Sequence, residues 1–122
     1  MNFCKTAVVA IAFSVMAGCA TSKPVFVCKA SNNVTLLKGS ILLDVRTQKE
    51  FDAKHLEGSI LLPHDQVGEK ISSVAPDKNS FIYLYCGSGR RAQKALEVLN
   101  GLGYRNVVNL CGINAAESAL KK

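Results

Sequence analysis

The sequence contains no tryptophan, no internal repeat and no low-complexity tract. Without a repeat there is no basis for a solenoid or propeller, whose stacked units show as a fixed period. Its five cysteines include no Cys-x-x-Cys pair, the arrangement a thiol–disulfide enzyme needs. Cys28, Cys86 and Cys111 are too far apart to show zinc-ligand spacing, and His55 and His64 have no nearby ligand partners. No metal and no cofactor is therefore expected. Acidic side chains are few, nine against fifteen lysines and arginines, giving a formal net charge of +6. Such a surface suits anionic partners. The lysines are scattered, however, and only Arg90-Arg91 and Lys121-Lys122 adjoin. No stripe of basic and aromatic residues marks a nucleic-acid site, so no nucleic acid is expected as a partner.

What is present suffices for one domain: 122 residues, 48% hydrophobic and 20% charged. The chain opens as a targeting segment. Lys5 precedes an uncharged, mostly apolar run from Thr6 to Ala17, and small residues follow. This is the grammar of a secretory signal, too short in its apolar part to span a bilayer comfortably. Met16-Ala17-Gly18-Cys19 resembles a bacterial lipobox, with Met16 where leucine is usual. That resemblance implies a lipidated Cys19 as the mature N-terminus. Ala20 after it, rather than aspartate, implies an outer-membrane address. Ordinary cleavage nearby, for example after Ala20, is the plainer alternative. The expected division is a signal at 1–18, a tether at 19–36 and a folded domain at 37–120.

Beyond the tether, apolar runs and helical periodicities alternate. Ser40 to Val45, Gly58 to Pro63, Phe81 to Tyr85 and Val107 to Leu110 read as strands. Thr47-Gln48-Lys49-Glu50 has capping-box spacing, so a short helix is expected there, carrying Phe51 inward. Val67, Ile71 and Val74 fall on one helical face; so do Ala92, Ala95, Leu96, Leu99 and Leu102, with Gly101 or Gly103 ending that helix. Ile113 to Leu120 is expected to make a last short helix. The alternation predicts an open, mainly parallel α/β sheet with helices on both faces. Ligands of such sheets bind beyond the carboxyl ends of the strands. Cys86 lies at one such end, and Asp44 and Arg46 close another.

Cys86 is followed by Gly87-Ser88-Gly89-Arg90-Arg91 and then the helical run. A thiol is nucleophilic as the thiolate. A helix N-terminus supplies unpaired N–H groups and positive potential, and two arginines add cationic charge. Glycines at 87 and 89 let successive N–H groups converge into an anion nest. The plainer reading is a buried strand-end cysteine before a loose turn. The full pattern favours a nucleophile beside an anion site.

The sequence resembles the rhodanese family of sulfurtransferases from about Leu37 to Gly112. Leu43-Asp44-Val45-Arg46, Glu50-Phe51 and His55 to Ile60 carry an early block. Tyr85 to Ala92 carries the active-site loop, and Leu102 to Val107 a late one. The resemblance implies a rhodanese-like fold and a sulfur transfer in which Cys86 attacks the outer sulfur of thiosulfate. Cys86 then holds that sulfur as a persulfide and passes it to cyanide or to a thiol. The N–H groups of residues 87–91 would stabilise the persulfide, and Arg90 and Arg91 would receive the sulfonate. Asp44 and Arg46 would organise the rim, and Arg46 could pair with Glu50. His55 would be a structural hydrogen-bonding residue. The sequence departs from the family at Leu110-Cys111-Gly112-Ile113, where one glycine stands for the usual pair and no tryptophan follows. Rival readings are a non-catalytic or relay module that binds a partner protein, and a cysteine-dependent phosphatase or arsenate reductase. The last two keep an arginine six positions after the cysteine, where this chain has Ala92. Cys28 and Cys111 are read first as a mobile thiol and an inert core thiol. A bridge between them is the alternative worth testing.

Overall fold

The computed structural model describes residues 33–120. Four strands, β1 (Ile41–Asp44), β2 (Ile60–Leu61), β3 (Phe81–Cys86) and β4 (Asn106–Gly112), form one sheet in the order β2-β1-β3-β4. Every pairing is parallel. Parallel neighbours need crossovers, and helices supply them: α1 (Gln48–Ala53), α2 (Val67–Val74), α3 (Arg90–Gly101), followed by a terminal α4 (Ile113–Leu120). The parallel α/β sheet expected from the alternation is present.

Side chains alternate across the strands and divide the core in two. Leu43, Val45, Ile82, Leu84 and Cys86 pack with Val67 and Ile71 of α2 and with Ala92, Ala95 and Leu99 of α3. Leu42, Tyr83, Tyr85 and Leu110 pack on the other face with Ala116 of α4, and Val34 and Leu36 flank them. β3 is buried from Ile82 through Cys86, as its unbroken apolar run requires of an interior strand. β2 is shorter than the expected Gly58–Pro63. The Leu62 N–H to Asp44 O bond (2.9 Å) and the His64 N–H to Val45 O bond (3.0 Å) extend its pairing past Leu61. Pro63, between them, has no N–H to offer.

The capping box at Thr47 forms as read. The Glu50 N–H donates to Thr47 Oγ1 at 3.2 Å, and the Thr47 N–H donates to Glu50 Oε1 at 3.1 Å. Phe51 corrects the expectation of an inward side chain: it is half-buried and stacks on the His55 ring, centroids 3.7 Å apart. His55 Nδ1 lies 2.8 Å from the Phe51 carbonyl oxygen, a local structural contact as expected. In α3, Ala92, Ala95 and Leu99 are buried, but Leu102 is 42% exposed. Leu102 is the cap residue, past the last turn, so the helical face no longer governs it. Gly103 at φ +99° then ends the helix, with the Tyr104 N–H returning to Leu99 O at 3.0 Å.

At that end of α3, Tyr104 is 1% exposed and its hydroxyl donates to Ala75 O at 2.5 Å. Tyr104→Phe leaves a buried carbonyl without this donor. It should cost about 1–2 kcal/mol in urea unfolding. Because Tyr104 lies at the opposite end of α3 from Cys86, turnover of the folded variant should stay at the parent value.

Candidate active site

β3 delivers Cys86 to its carboxyl end, and α3 begins four residues later. The thiol is buried and free. The Gly89 N–H donates to its sulfur at 2.9 Å and the Ala92 N–H at 3.4 Å. Both belong to the start of α3, where N–H groups have no partner within the helix. Gly89 reaches this geometry at φ +96°, a conformation that side chains disfavour. Ala92 was not among the donors expected from residues 87–91. The signal was available, since Ala92 falls in the first turn of the helix. Gly87 and Ser88 are exposed on the outer side of the turn.

The charged residues divide into two pairs. Asp44 and Arg46 are buried together at the end of β1. Arg46 Nε donates to Asp44 Oδ1 at 2.8 Å, and Nη2 donates to Asp44 Oδ2 at 2.6 Å and to Lys54 O at 2.5 Å. The Asp44 hydrogen bond holds the Arg46 guanidinium above its ordinary range, against the opposing effect of burial. The guanidinium also lies 5.6 Å from the centre of the Tyr85 ring. Burial raises the Tyr85 phenol, whose oxygen accepts from the Leu56 N–H at 3.0 Å and donates to Ser59 Oγ at 3.1 Å. These contacts join the ends of β1 and β3 to the segment from Lys54 to Ser59.

The expected Arg46–Glu50 pair does not form. Arg46 is committed to Asp44, two residues away, while the cap turns the Glu50 carboxylate toward Arg91. Arg91 Nη1 donates to Glu50 Oε1 at 2.8 Å and Nη2 to Oε2 at 3.0 Å. Arg91 holds the Glu50 carboxyl down at about 2, and Glu50 in turn raises Arg91. Arg90 is exposed and has no ion-pair partner among the described residues.

β4 supports the loop from the far side. Leu84 pairs with Asn109, yet Cys86 pairs with Gly112, so β4 carries an extra residue in a bulge. Cys111 sits there at φ +75°. Its N–H donates to Asn109 Oδ1 at 2.8 Å, and Asn109 Nδ2 donates to Gly89 O at 3.1 Å. Asn109 thus ties the bulge to the loop. Sequence reading missed it, although a lone amide in an apolar strand was a visible signal. Gly112 presses on the loop directly: a Cβ there would lie 2.4 Å from the Gly87 carbonyl oxygen. Cys111 is disulfide-bonded, which corrects its reading as an inert core thiol. Cys28, the partner weighed for it, lies outside the described residues, as does Cys19.

A separate cleft of about 440 Å³ opens between the start of α1 and the end of β2, lined by Thr47, Leu61, Pro63, Gln66 and Lys70 among others. No residue of the cysteine loop lines it. Among the described residues, no group of three His, Cys, Asp or Glu side chains could hold a metal ion.

Comparison with known proteins gives the family and the fold. A family model described as rhodanese-like domain matches residues 29–118. The thiosulfate sulfurtransferase PspE of Escherichia coli (strain K12) is 37% identical over 71 residues, 58% of this chain and 68% of that protein. A solved structure described as a rhodanese with anions from E. coli is 34% identical with a TM-score of 0.61, covering 62% of this chain and 89% of that one. The human single-domain sulfurtransferase TSTD1 shares the fold at 18% identity and a TM-score of 0.59, over 76% of this chain and all (100%) of that one.

Two outcomes follow from the β4 contact. Gly112→Ala forces the bulge away from Gly87 O and should cost about 1–3 kcal/mol. Because the displaced atom belongs to the cysteine loop, activity of the folded fraction should also fall, as thermal melts paired with rate assays will show. Peptide mapping without reductant should find Cys111 in a disulfide and Cys86 as a thiol open to alkylation after unfolding.

Proposed function

Since the chain belongs to the rhodanese-like family of sulfurtransferases, we propose that it is an exported thiosulfate sulfurtransferase working through a Cys86 persulfide. The observation that carries this reading is the Cys86 sulfur held at the start of α3 by the N–H groups of Gly89 and Ala92. Donors in those positions favour negative charge on the sulfur, whether thiolate or persulfide.

In the first step the Cys86 thiolate attacks the outer sulfur of thiosulfate. The Cys86–sulfur bond forms, the sulfur–sulfur bond of thiosulfate breaks, and sulfite leaves with the bonding pair. In the second step cyanide attacks the outer persulfide sulfur, thiocyanate leaves, and the Cys86 thiolate returns. A thiolate acceptor attacks in the same way and carries the sulfur off as its own persulfide. Splitting one transfer into two predicts ping-pong kinetics. Gly87, Ser88 and Gly89 give the donor a backbone cradle, and Arg90 and Arg91 face its sulfonate. Asp44 and Arg46 act by fixing the rim. The solved E. coli relative is described as a rhodanese with anions, which fits a protein that takes an anionic donor.

A module that binds a partner without catalysis would not need the buried, doubly hydrogen-bonded thiol. A phosphatase or arsenate reductase would need a guanidinium where Ala92 stands, and the Ala92 N–H is directed at the sulfur instead. The signal-like start of the chain supports export. So does the Cys111 disulfide, because such bonds persist in oxidising compartments. Lipidation of Cys19 would anchor the protein to the outer membrane.

Cys86→Ser should fold normally and lose thiosulfate:cyanide transfer. Intact-mass measurement after thiosulfate treatment should show an adduct of about 32 Da on the parent and none on the variant. Aryl-phosphate hydrolysis should be negligible in both. A folded Cys86→Ser protein with near-parental turnover overturns the assignment.

A further inference from the structure

We propose that Glu50 is a specificity-determining residue of the donor site: by neutralising Arg91 at the mouth of the Cys86 loop, it limits how strongly negative charge on the sulfur donor is rewarded. The proposal rests on the assignment of Cys86 as the sulfur carrier and adds a residue from a different element to that site.

Three observations carry it. First, both terminal nitrogens of Arg91 are engaged by Glu50, each with its own oxygen, at 2.8 and 3.0 Å. Second, the pair lies over the loop and not out on the helix flank. The position a Cβ would take on Gly87, next to the nucleophile, is 3.2 Å from Arg91 Nη2 and 3.9 Å from Glu50 Oε2. Third, the carboxylate is held independently of Arg91. Glu50 Oε1 also accepts from the Thr47 N–H at 3.1 Å and from Thr47 Oγ1 at 3.0 Å. The carboxyl titrates at about 2, so it is ionised throughout any neutral assay.

The electrostatic consequence is direct. Arg90 and Arg91 alone would offer two positive charges to the donor, and Glu50 removes one of them. A fixed carboxylate opposes a dianion twice as strongly as a monoanion and leaves a neutral donor untouched. Both partners are partly exposed, at 30% for Arg91 and 37% for Glu50, so solvent and salt keep the effect modest.

The test is Glu50→Gln, which removes the charge while a glutamine can still serve the capping box. KM should fall about fivefold for thiosulfate, about twofold for a monoanionic aryl thiosulfonate and not at all for a neutral organic trisulfide. The differences should shrink in high salt. Glu50→Asp, which keeps the charge, should keep the parental ranking of donors. An equal shift for all three donors, or a KM that rises with donor charge, overturns the proposal. Thiosulfate binding to Cys86→Ser and to Cys86→Ser/Glu50→Gln, followed by calorimetry, reads the same charge effect without turnover. Absence of Cys86-dependent transfer in the parent would therefore defeat the sulfurtransferase reading alone, and unchanged binding would defeat the role of Glu50 alone.

Discussion

Two backbone N–H groups converge on one sulfur, and much of the surrounding structure serves to keep them there. The donors belong to Gly89 and Ala92, at the start of α3, while the sulfur belongs to the last residue of β3. Strand and helix must therefore meet at a fixed distance across a very short turn. The buried faces of both elements fix that distance: Ile82 and Leu84 from the strand pack in one cluster with Ala92, Ala95 and Leu99 from the helix. Small residues at 92 and 95 let the helix lie close to the sheet. Packing, rather than the turn itself, then sets where the N–H groups point, which is why Gly87 and Ser88 can remain exposed without loosening the site.

The rim shows how the same charge chemistry serves two purposes at different depths. Asp44 and Arg46 are buried, and a buried pair is tolerated only when its remaining donors and acceptors are filled. Here several are: Asp44 Oδ1 accepts both the backbone N–H and the Nε of Arg46, and Arg46 Nη2 reaches the Lys54 carbonyl. That pair ties the end of β1 to the end of α1. Glu50 and Arg91 are partly open to solvent, so their pairing is weaker and reachable by a small anion. A shared α1 connects the two pairs. Its N-cap positions Glu50 and its C-cap residue Lys54 receives Arg46.

Much of this was legible in the sequence, for identifiable reasons. The strand–helix alternation follows from hydrophobic period, and the Thr47 capping box follows from spacing alone, so both appeared as read. Cys86 and its glycine-arginine turn stood out because thiol, flexibility and cationic charge occur together. Long-range partners were less legible. A pairing of Arg46 with Glu50 is open in the sequence, whereas the structure commits Arg46 to Asp44 and Glu50 to Arg91. Phe51 stayed half-buried because His55, one turn on, offers it a flat face. Asn109 and Gly112 act across the sheet on a loop twenty or more positions earlier, and no local pattern reports such a contact.

The departure at Leu110-Cys111-Gly112 shows what the loop tolerates. Gly112 stands against the Gly87 carbonyl, where any side chain collides, so that glycine cannot be exchanged without moving the nucleophile loop. The preceding position is different. Cys111 also has a positive φ, but its constraint is conformational rather than steric contact with the loop. A left-handed residue other than glycine costs about 1–2 kcal/mol. The hydrogen bond from Cys111 N–H to Asn109 acts to hold that conformation. The paired glycines familiar in the family thus separate into two requirements. One is steric and set by the carbonyl of Gly87; the other is conformational and is met here by a cysteine.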